Sequence, residues 1–158
     1  FKQKTAYEIK ECDWSSDVCS SDLVINVETA CSESTYALNA FGMEGEVMMN
    51  RGNAYNMINH TAAAKGLSIK TGAIHSSDVF YRAEQGLPSL AERHQCMAVE
   101  MEAFALFANA AYLGKTAATI LTISDVIPTG EQISADARER SLKPMIELAL
   151  DAGISLMQ

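Results

Sequence analysis

Several things are scarce in this 158-residue sequence, and each scarcity closes off a class of function. No apolar stretch approaches the roughly 20 residues of a membrane-spanning helix, and no signal peptide is visible. Positive charge is low, with 12 Lys and Arg against 20 Asp and Glu, a net charge of -8 at pH 7 and a pI near 4.8. That balance argues against a nucleic-acid footprint and leaves a small-molecule partner easier to accommodate than a polyanion. Cysteine is limited to four residues, and no second Cys or His pair stands at ligand spacing from Cys12 and Cys19, so a metal centre is not indicated. Cys31 and Cys96 are too few for a disulfide framework. They fit a reduced, cytoplasmic protein in which each is a core or strand-end residue. What is abundant is apolar residue content, 48%, which with this length suits one packed globular domain.

The opening, Phe1 to Leu23, stands apart. Between Cys12 and Leu23 the run CDWSSDVCSSDL holds four serines and three aspartates, with Trp14, Val18 and Leu23 as its large apolar groups. It shows neither a helical stripe nor a strand alternation. Back-translation of KQKTAYEI and of DWSSDVCSSDL yields sequences that resemble the two constant parts of a short-read sequencing adapter, with Lys10, Glu11 and part of Cys12 as the variable index between them. Residues 1–23 are therefore read as a non-native, adapter-derived extension, expected to be disordered or poorly packed and set aside from fold reasoning. Cys12, Cys19 and Trp14, the only tryptophan, leave with it.

From Val24 onward strands and helices alternate. VINVETAC (Val24 to Cys31) is a strand, followed by the polar loop SESTYALNAFGMEGE. Asn53 to Gly66 is helical, with Ala54, Met57, Ile58 and Ala62 on one stripe and Gly66 as its stop. Leu67 to Ile74 alternates as a strand does, HSSDVFY is a loop, and a weak helix surrounds Ser89 to His94. Met97 to Gly114 starts strand-like and becomes a helix capped by Gly114. Lys115 to Asp125 is a buried strand, and the last helix opens near Ser134 with Leu142, Met145, Ile146 and Ala149 at helical spacing. Strand then helix, three times over, predicts an α/β domain over 24–158 with helices flanking a central mixed, largely parallel sheet. Working residues in such sheets gather beyond the carboxyl ends of the strands, where Ser124 and Asp125 fall.

Three constellations could carry chemistry. In VEMEAF, strand alternation points Glu100 and Glu102 the same way and Met101 the other, so two acceptor-only carboxylates could hold adjacent hydroxyls of a ribose. One of them could equally cap the following helix, where the dipole favours negative charge, and on spacing alone the cap is the favoured reading. In ISDVIPTGEQ a buried strand ends at Ser124 and Asp125 before Pro128 and Gly130, placing a carboxylate on the floor of a crevice as a general acid. Keeping it neutral at pH 7 needs a rise of roughly 3 pKa units, some 4 kcal/mol of environmental bias. An Asx-type turn explains the same residues without chemistry. In SADARERS, Arg138 lies one helical turn past the N-cap candidate Ser134 and could reach back toward Asp125, or belong to a solvated charged face with Glu139 and Arg140.

Taken together and in order, VINVETACSES, TGAIHSSDVFY, VEMEAFALFANAA, ILTISDVIPTGEQISADARERS and MIELALDAG closely resemble the carboxyl-terminal part of the bacterial, hexameric type of purine nucleoside phosphorylase, from Val24 to about Gly153. VEMEA followed by ISD marks the nucleoside phosphorylase and nucleosidase superfamily, and TGEQISADARER points to the purine phosphorylases within it. The resemblance implies an incomplete nucleoside-phosphorylase-type domain. It implies cleavage of purine ribonucleosides and deoxyribonucleosides by inorganic phosphate, giving free base and pentose 1-phosphate. It further implies no metal or organic cofactor, and a homo-hexamer for the full-length parent. Asp125 matches the general acid that protonates the five-membered-ring nitrogen of the departing purine, and Arg138 the helix arginine that closes onto it. Glu102 matches the carboxylate that binds the ribose hydroxyls, Met101 and Glu100 line the same sugar site, and Ser124 is taken as a further substrate-binding residue. Phe80, with Tyr81, matches the aromatic wall of the base. A nucleosidase, which uses water in place of phosphate, shares VEME and ISDV and is the alternative; a non-catalytic nucleoside-binding or assembly protein is a further one.

Two departures and one omission accompany the resemblance. Val126 stands where family members often carry a second polar residue after Ser-Asp. Pro144 lies inside the last helix, where loss of its N–H costs about 3 kcal/mol, so the helix is expected to break near Lys143. The family's amino-terminal half, which carries the glycine-rich phosphate loops, has no counterpart in these residues. The chain by itself is accordingly expected to be inactive and poorly soluble, with an exposed sheet edge.

Overall fold

Every second residue of VINVETAC faces a different helix layer, and this sets the architecture. Val24 packs on one side of the sheet, Ile25 and Val27 on the other, and all are buried. The computed structural model describes residues 2–8, 23–81, 88–126, 131–132 and 134–157, and for 2–8, 126, 131, 132, 135 and 137–140 the backbone alone. Its elements are β1 (Lys2–Glu8), β2 (Val24–Cys31), α1 (Tyr36–Phe41), β3 (Val47–Met49), α2 (Ala54–Ala64), β4 (Lys70–Ser76), α3 (Ser89–Arg93), β5 (Ala98–Glu100), α4 (Ala103–Leu113), β6 (Thr119–Val126), β7 (Glu131–Gln132) and α5 (Ala135–Ser155).

The strands form one mixed sheet in the order β3-β2-β4-β5-β1-β6-β7. Its two longest ladders, β2 with β4 and β1 with β6, are parallel; the first is the kind the strand–helix alternation from Val24 predicts, and the second involves a segment set aside in that reading. The β3, β5 and β7 contacts with β2, β1 and β6 respectively are antiparallel. A further antiparallel pairing, Val24 to Thr122 through Asn26 to Ile120, joins β2 back to β6 and closes β2, β4, β5, β1 and β6 into a ring. With the ring closed, the outermost strands of the sheet are the short β3 and β7, and short edge strands are a usual way of limiting edge pairing.

Two apolar layers clothe the sheet. Phe104, Phe107 and Ala108 of α4 pack on Ile25, Val27, Leu121 and Ile123. On the opposite side Ile58 and Ala62 of α2 meet Met145, Leu148, Ala149 and Ala152 of α5 over Val24 and Ile120. β6 is buried on both faces from Thr119 to Asp125, as its sequence suggests. Lys65 and Asp151 form an ion pair between α2 and α5, and the carboxylate beside the lysine holds its pKa above the ordinary value. The polar loop after β2 contains more structure than its composition indicates. TYALNAF makes the short helix α1, stopped by Gly42 at φ 67°, and VMM adds the edge strand β3. Six residues show too little periodicity to reveal a helix.

Two expectations are corrected. Residues 9–22 lie outside the described residues, but Lys2–Glu8 does not stand apart from the fold: it is β1, hydrogen-bonded between β5 and β6. A ladder is built from main-chain groups that any non-proline sequence supplies, and KQKTAYE contains neither proline nor glycine. Without a strand there, β5 and β6 would leave those groups unpaired.

The last helix is not broken near Lys143 either; α5 runs through Pro144. Pro144 is exposed, while Met145, Leu148 and Ala152 beyond it and Ser141 before it are buried, so packing holds both sides of the proline in line. The missing N–H still costs stability. Pro144→Ala is expected to raise unfolding free energy by about 1–2 kcal/mol, seen as a higher urea midpoint at unchanged slope; a lower midpoint would contradict the account.

Candidate active site

A single row of paired residues crosses the whole sheet. Val47 pairs with Cys31, Cys31 with His75, His75 with Val99, Val99 with Tyr7, Tyr7 with Asp125, and Asp125 with Gln132. The next row pairs Ser76 with Glu100. Asp125 and the end of β5 are therefore level and two strands apart, roughly 10 Å at ordinary strand spacing. Strand direction alone does not explain this. β6 runs antiparallel to β2, so the carboxyl end of β6 does not point with those of β2, β4 and β5. It is register, and not a shared set of carboxyl ends, that brings the residues together.

The ladder is irregular at this point. Ala6 pairs with Ile123 and Tyr7 with Asp125, so Ser124 is passed over. Bulges of this kind re-aim side chains and recur beside active sites. The Ser124 hydroxyl donates to Asp125 Oδ2 at 2.5 Å, and both residues are buried, Asp125 at 8% exposure. A buried carboxylate held by a neighbouring hydroxyl fits a positioned proton carrier better than a solvated turn residue.

The two glutamates of VEME part company. Strand alternation stops at Glu100, the last residue of β5, because Glu102 has already turned to φ -139° and ψ -26° as the N-cap of α4. Glu100 is 4% exposed and occupied within the protein. Its Oε2 accepts the backbone N–H of Glu102 at 2.8 Å and of Ala103 at 2.9 Å, and its Oε1 accepts the Ser76 hydroxyl. Ser76 Oγ in turn accepts the N–H of Phe104 at 3.0 Å. The first N–H groups of α4, which no helix can satisfy internally, are thus met by two buried side chains from β4 and β5. The helix dipole favours the carboxylate there. The reading favoured on spacing, that one glutamate caps the helix, is borne out by Glu100, and the strand alternation on which a shared face rested ends at that residue. Met101, 40% exposed, and the half-buried Glu102 sit on the turn that this cap fixes.

Phe80 and Tyr81 follow β4 as exposed aromatics, their rings edge to face with centroids 4.9 Å apart. Arg138 falls on α5, which Ser134 precedes, but its side chain lies outside the described residues, as does that of Val126.

Sequence reasoning did not single out Ser76, or the buried His75, whose Nε2 lies 2.5 Å from Glu33 Oε2. Both were assigned to a loop because HSSD reads as a turn signal. KTGAIHS carries no period-two pattern, its last three residues all being buried, so nothing local marks His75 and Ser76 as the end of β4.

Residues 46–149, well over half the chain, match the family model described as Phosphorylase superfamily. The chain belongs to that superfamily. Relatives within it include a DeoD-type purine nucleoside phosphorylase of Mycoplasma genitalium, 38% identical over 133 residues, which cover 82% of this chain and 55% of that protein. Those of Chromobacterium violaceum and Brevibacillus brevis are 41% and 44% identical over 61% and 59% of this chain, and 41% and 40% of their own lengths. This superfamily member thus spans about half the length of the relatives it matches. Its fold is also that of the Toxoplasma gondii purine nucleoside phosphorylase solved with immucillin-H, with a TM-score of 0.79 at 16% identity over 98% of this chain and 62% of that one.

Proposed function

We propose that this superfamily member works as part of a purine nucleoside phosphorylase, and that it contributes the base-protonating and sugar-binding side of the site. The observation that carries the reading is the placement of buried Asp125, at a bulge and held by Ser124, level with the strand end that presents Met101 and Glu102.

In this reading the glycosidic bond breaks with its electron pair going to the purine. Asp125 delivers a proton to the five-membered-ring nitrogen, so the base leaves neutral; general acids of this kind contribute roughly 10²- to 10⁴-fold. Glu102 accepts hydrogen bonds from the ribose hydroxyls and Met101 lines the sugar, fixing C1′ for attack by an inorganic phosphate oxygen from the opposite face. Phe80 and Tyr81 form the wall beside the base, and Arg138 on α5 closes toward Asp125. Glu100, assigned by resemblance to the sugar site, serves it through the cap that holds Glu102. No metal or organic cofactor enters the scheme. The working protein is a cytoplasmic homo-hexamer.

The test is release of hypoxanthine from inosine by the protein expressed from its genomic reading frame, with and without phosphate. Release that requires phosphate and yields ribose 1-phosphate is the expected result. Equal release in water alone would make it a nucleosidase, and binding without turnover would overturn the catalytic reading.

A further inference from the structure

We propose that Cys31 and Cys96 form a reversible oxidation site, a dithiol that closes to a disulfide joining the end of β2 to the segment that leads into β5. The two thiols come from residues 65 apart in the chain and from either side of β4, yet their sulfurs are 3.0 Å apart, and no disulfide joins them. A disulfide needs about 2.05 Å between sulfurs, so closure asks the sulfurs to approach by about 1 Å and draws the end of β2 and the segment before β5 toward each other across β4. The two share one small apolar cluster with Leu90 and Ala91, and within it they meet sulfur to sulfur.

The surroundings suit the chemistry. Cys31 ends β2 in the row that continues into His75, and the Cys96 hydrogen bond holds its pKa below the ordinary thiol value, which favours it as the attacking thiolate. Both thiols are about 1% exposed, sealed by Leu90 and Ala91 of α3. That helix has five residues, too few to be stable by itself, so its local opening is a low-energy route to the pair.

With a peroxide as oxidant the steps balance. The Cys31 thiolate attacks one peroxide oxygen, the O–O bond breaks, and Cys31 becomes a sulfenic acid with release of hydroxide. Cys96 Sγ then attacks that sulfur as the S–O bond breaks, and the departing hydroxide takes up a proton. The net change is two thiols and one hydrogen peroxide to one disulfide and two waters. A dithiol reductant reverses it.

The experiment uses the protein expressed from its genomic reading frame, with every cysteine other than Cys31 and Cys96 replaced by serine, so that the pair holds the only thiols. After treatment with hydrogen peroxide, intact mass and peptide mapping are read before and after dithiothreitol. The expected result is a 2 Da loss, one cross-linked peptide containing Cys31 and Cys96, its disappearance on reduction, and a melting temperature raised by about 5 °C or more in the oxidised form. Recovery of both thiols unchanged, or their separate conversion to sulfinic acids, overturns the proposal. So does a cross-link only between chains. Because the mapping is done on the chain with both cysteines present, a folding defect in a Cys96→Ser control cannot be mistaken for a negative answer.

Discussion

On the proposed function, Asp125→Asn in the protein expressed from its genomic reading frame is expected to lower the rate of phosphorolysis by at least about 100-fold while changing KM only a few-fold. The amide matches the carboxylate in size and still accepts the Ser124 hydroxyl bond now made to Oδ2, so the bulge and the packing around it persist. What it lacks is a transferable proton. The purine must then leave as an anion, and the lost stabilisation falls on the transition state and not on the bound substrate. The measurement is steady-state kinetics with inosine and phosphate, beside a thermal melt that confirms an unchanged fold. A loss confined to KM would mean that Asp125 only binds. A rate within a few-fold of the parent would remove it from the chemistry.

Glu100→Ala is expected to reduce unfolding free energy by about 3 kcal/mol, a large share of a domain's 5–15 kcal/mol. Truncation removes the acceptor for the Glu102 and Ala103 N–H groups and for the Ser76 hydroxyl, all at the buried start of α4. Loss of a cap costs about 1–2 kcal/mol, and each polar group left buried without a partner adds about 1–3 kcal/mol before relaxation. Glu100→Gln keeps one acceptor oxygen and should lose about half as much. Urea unfolding reads the difference. If Glu100 were a sugar ligand and not a cap, Glu100→Ala would leave the urea midpoint in place and raise KM alone, and that outcome would refute the cap.

How far the sequence discloses these features depends on the range of the interaction concerned. Helix stripes such as Ala54, Ile58 and Ala62, and the doubly apolar run of β6, are local patterns, and their elements fall within a few residues of expectation. The burial of Asp125 near the end of β6 is legible because a buried strand that ends in an acid is itself a local oddity. That one glutamate of VEME caps α4 is legible from its spacing; which one is not, because it depends on where β5 stops and on a serine 24 residues earlier that shares the cap. Nor is the row that levels Asp125 with Val99, since it runs through β1, and register between distant strands leaves no mark on either sequence. The 3.0 Å approach of Cys31 to Cys96 is hidden for the same reason. Pro144 misleads in the other direction: a strong local signal for a break is overridden by burial of Met145, Leu148 and Ala152.

The adapter-like opening bears on the function as much as the side chains do. Main-chain pairing makes Lys2–Glu8 an acceptable strand whatever its origin, so its place in the sheet does not decide where it came from. We propose that residues 1–23 are translated adapter, and sequencing genomic DNA across the Leu23/Val24 junction decides it. The most direct test of the central claim is then phosphate-dependent release of hypoxanthine from inosine by the protein expressed from that genomic reading frame. The account predicts turnover that needs phosphate, produces ribose 1-phosphate and collapses in Asp125→Asn. Inosine left intact in the presence of phosphate, by a folded protein whose reading frame contains Val24 to Gln158 unchanged, would contradict it.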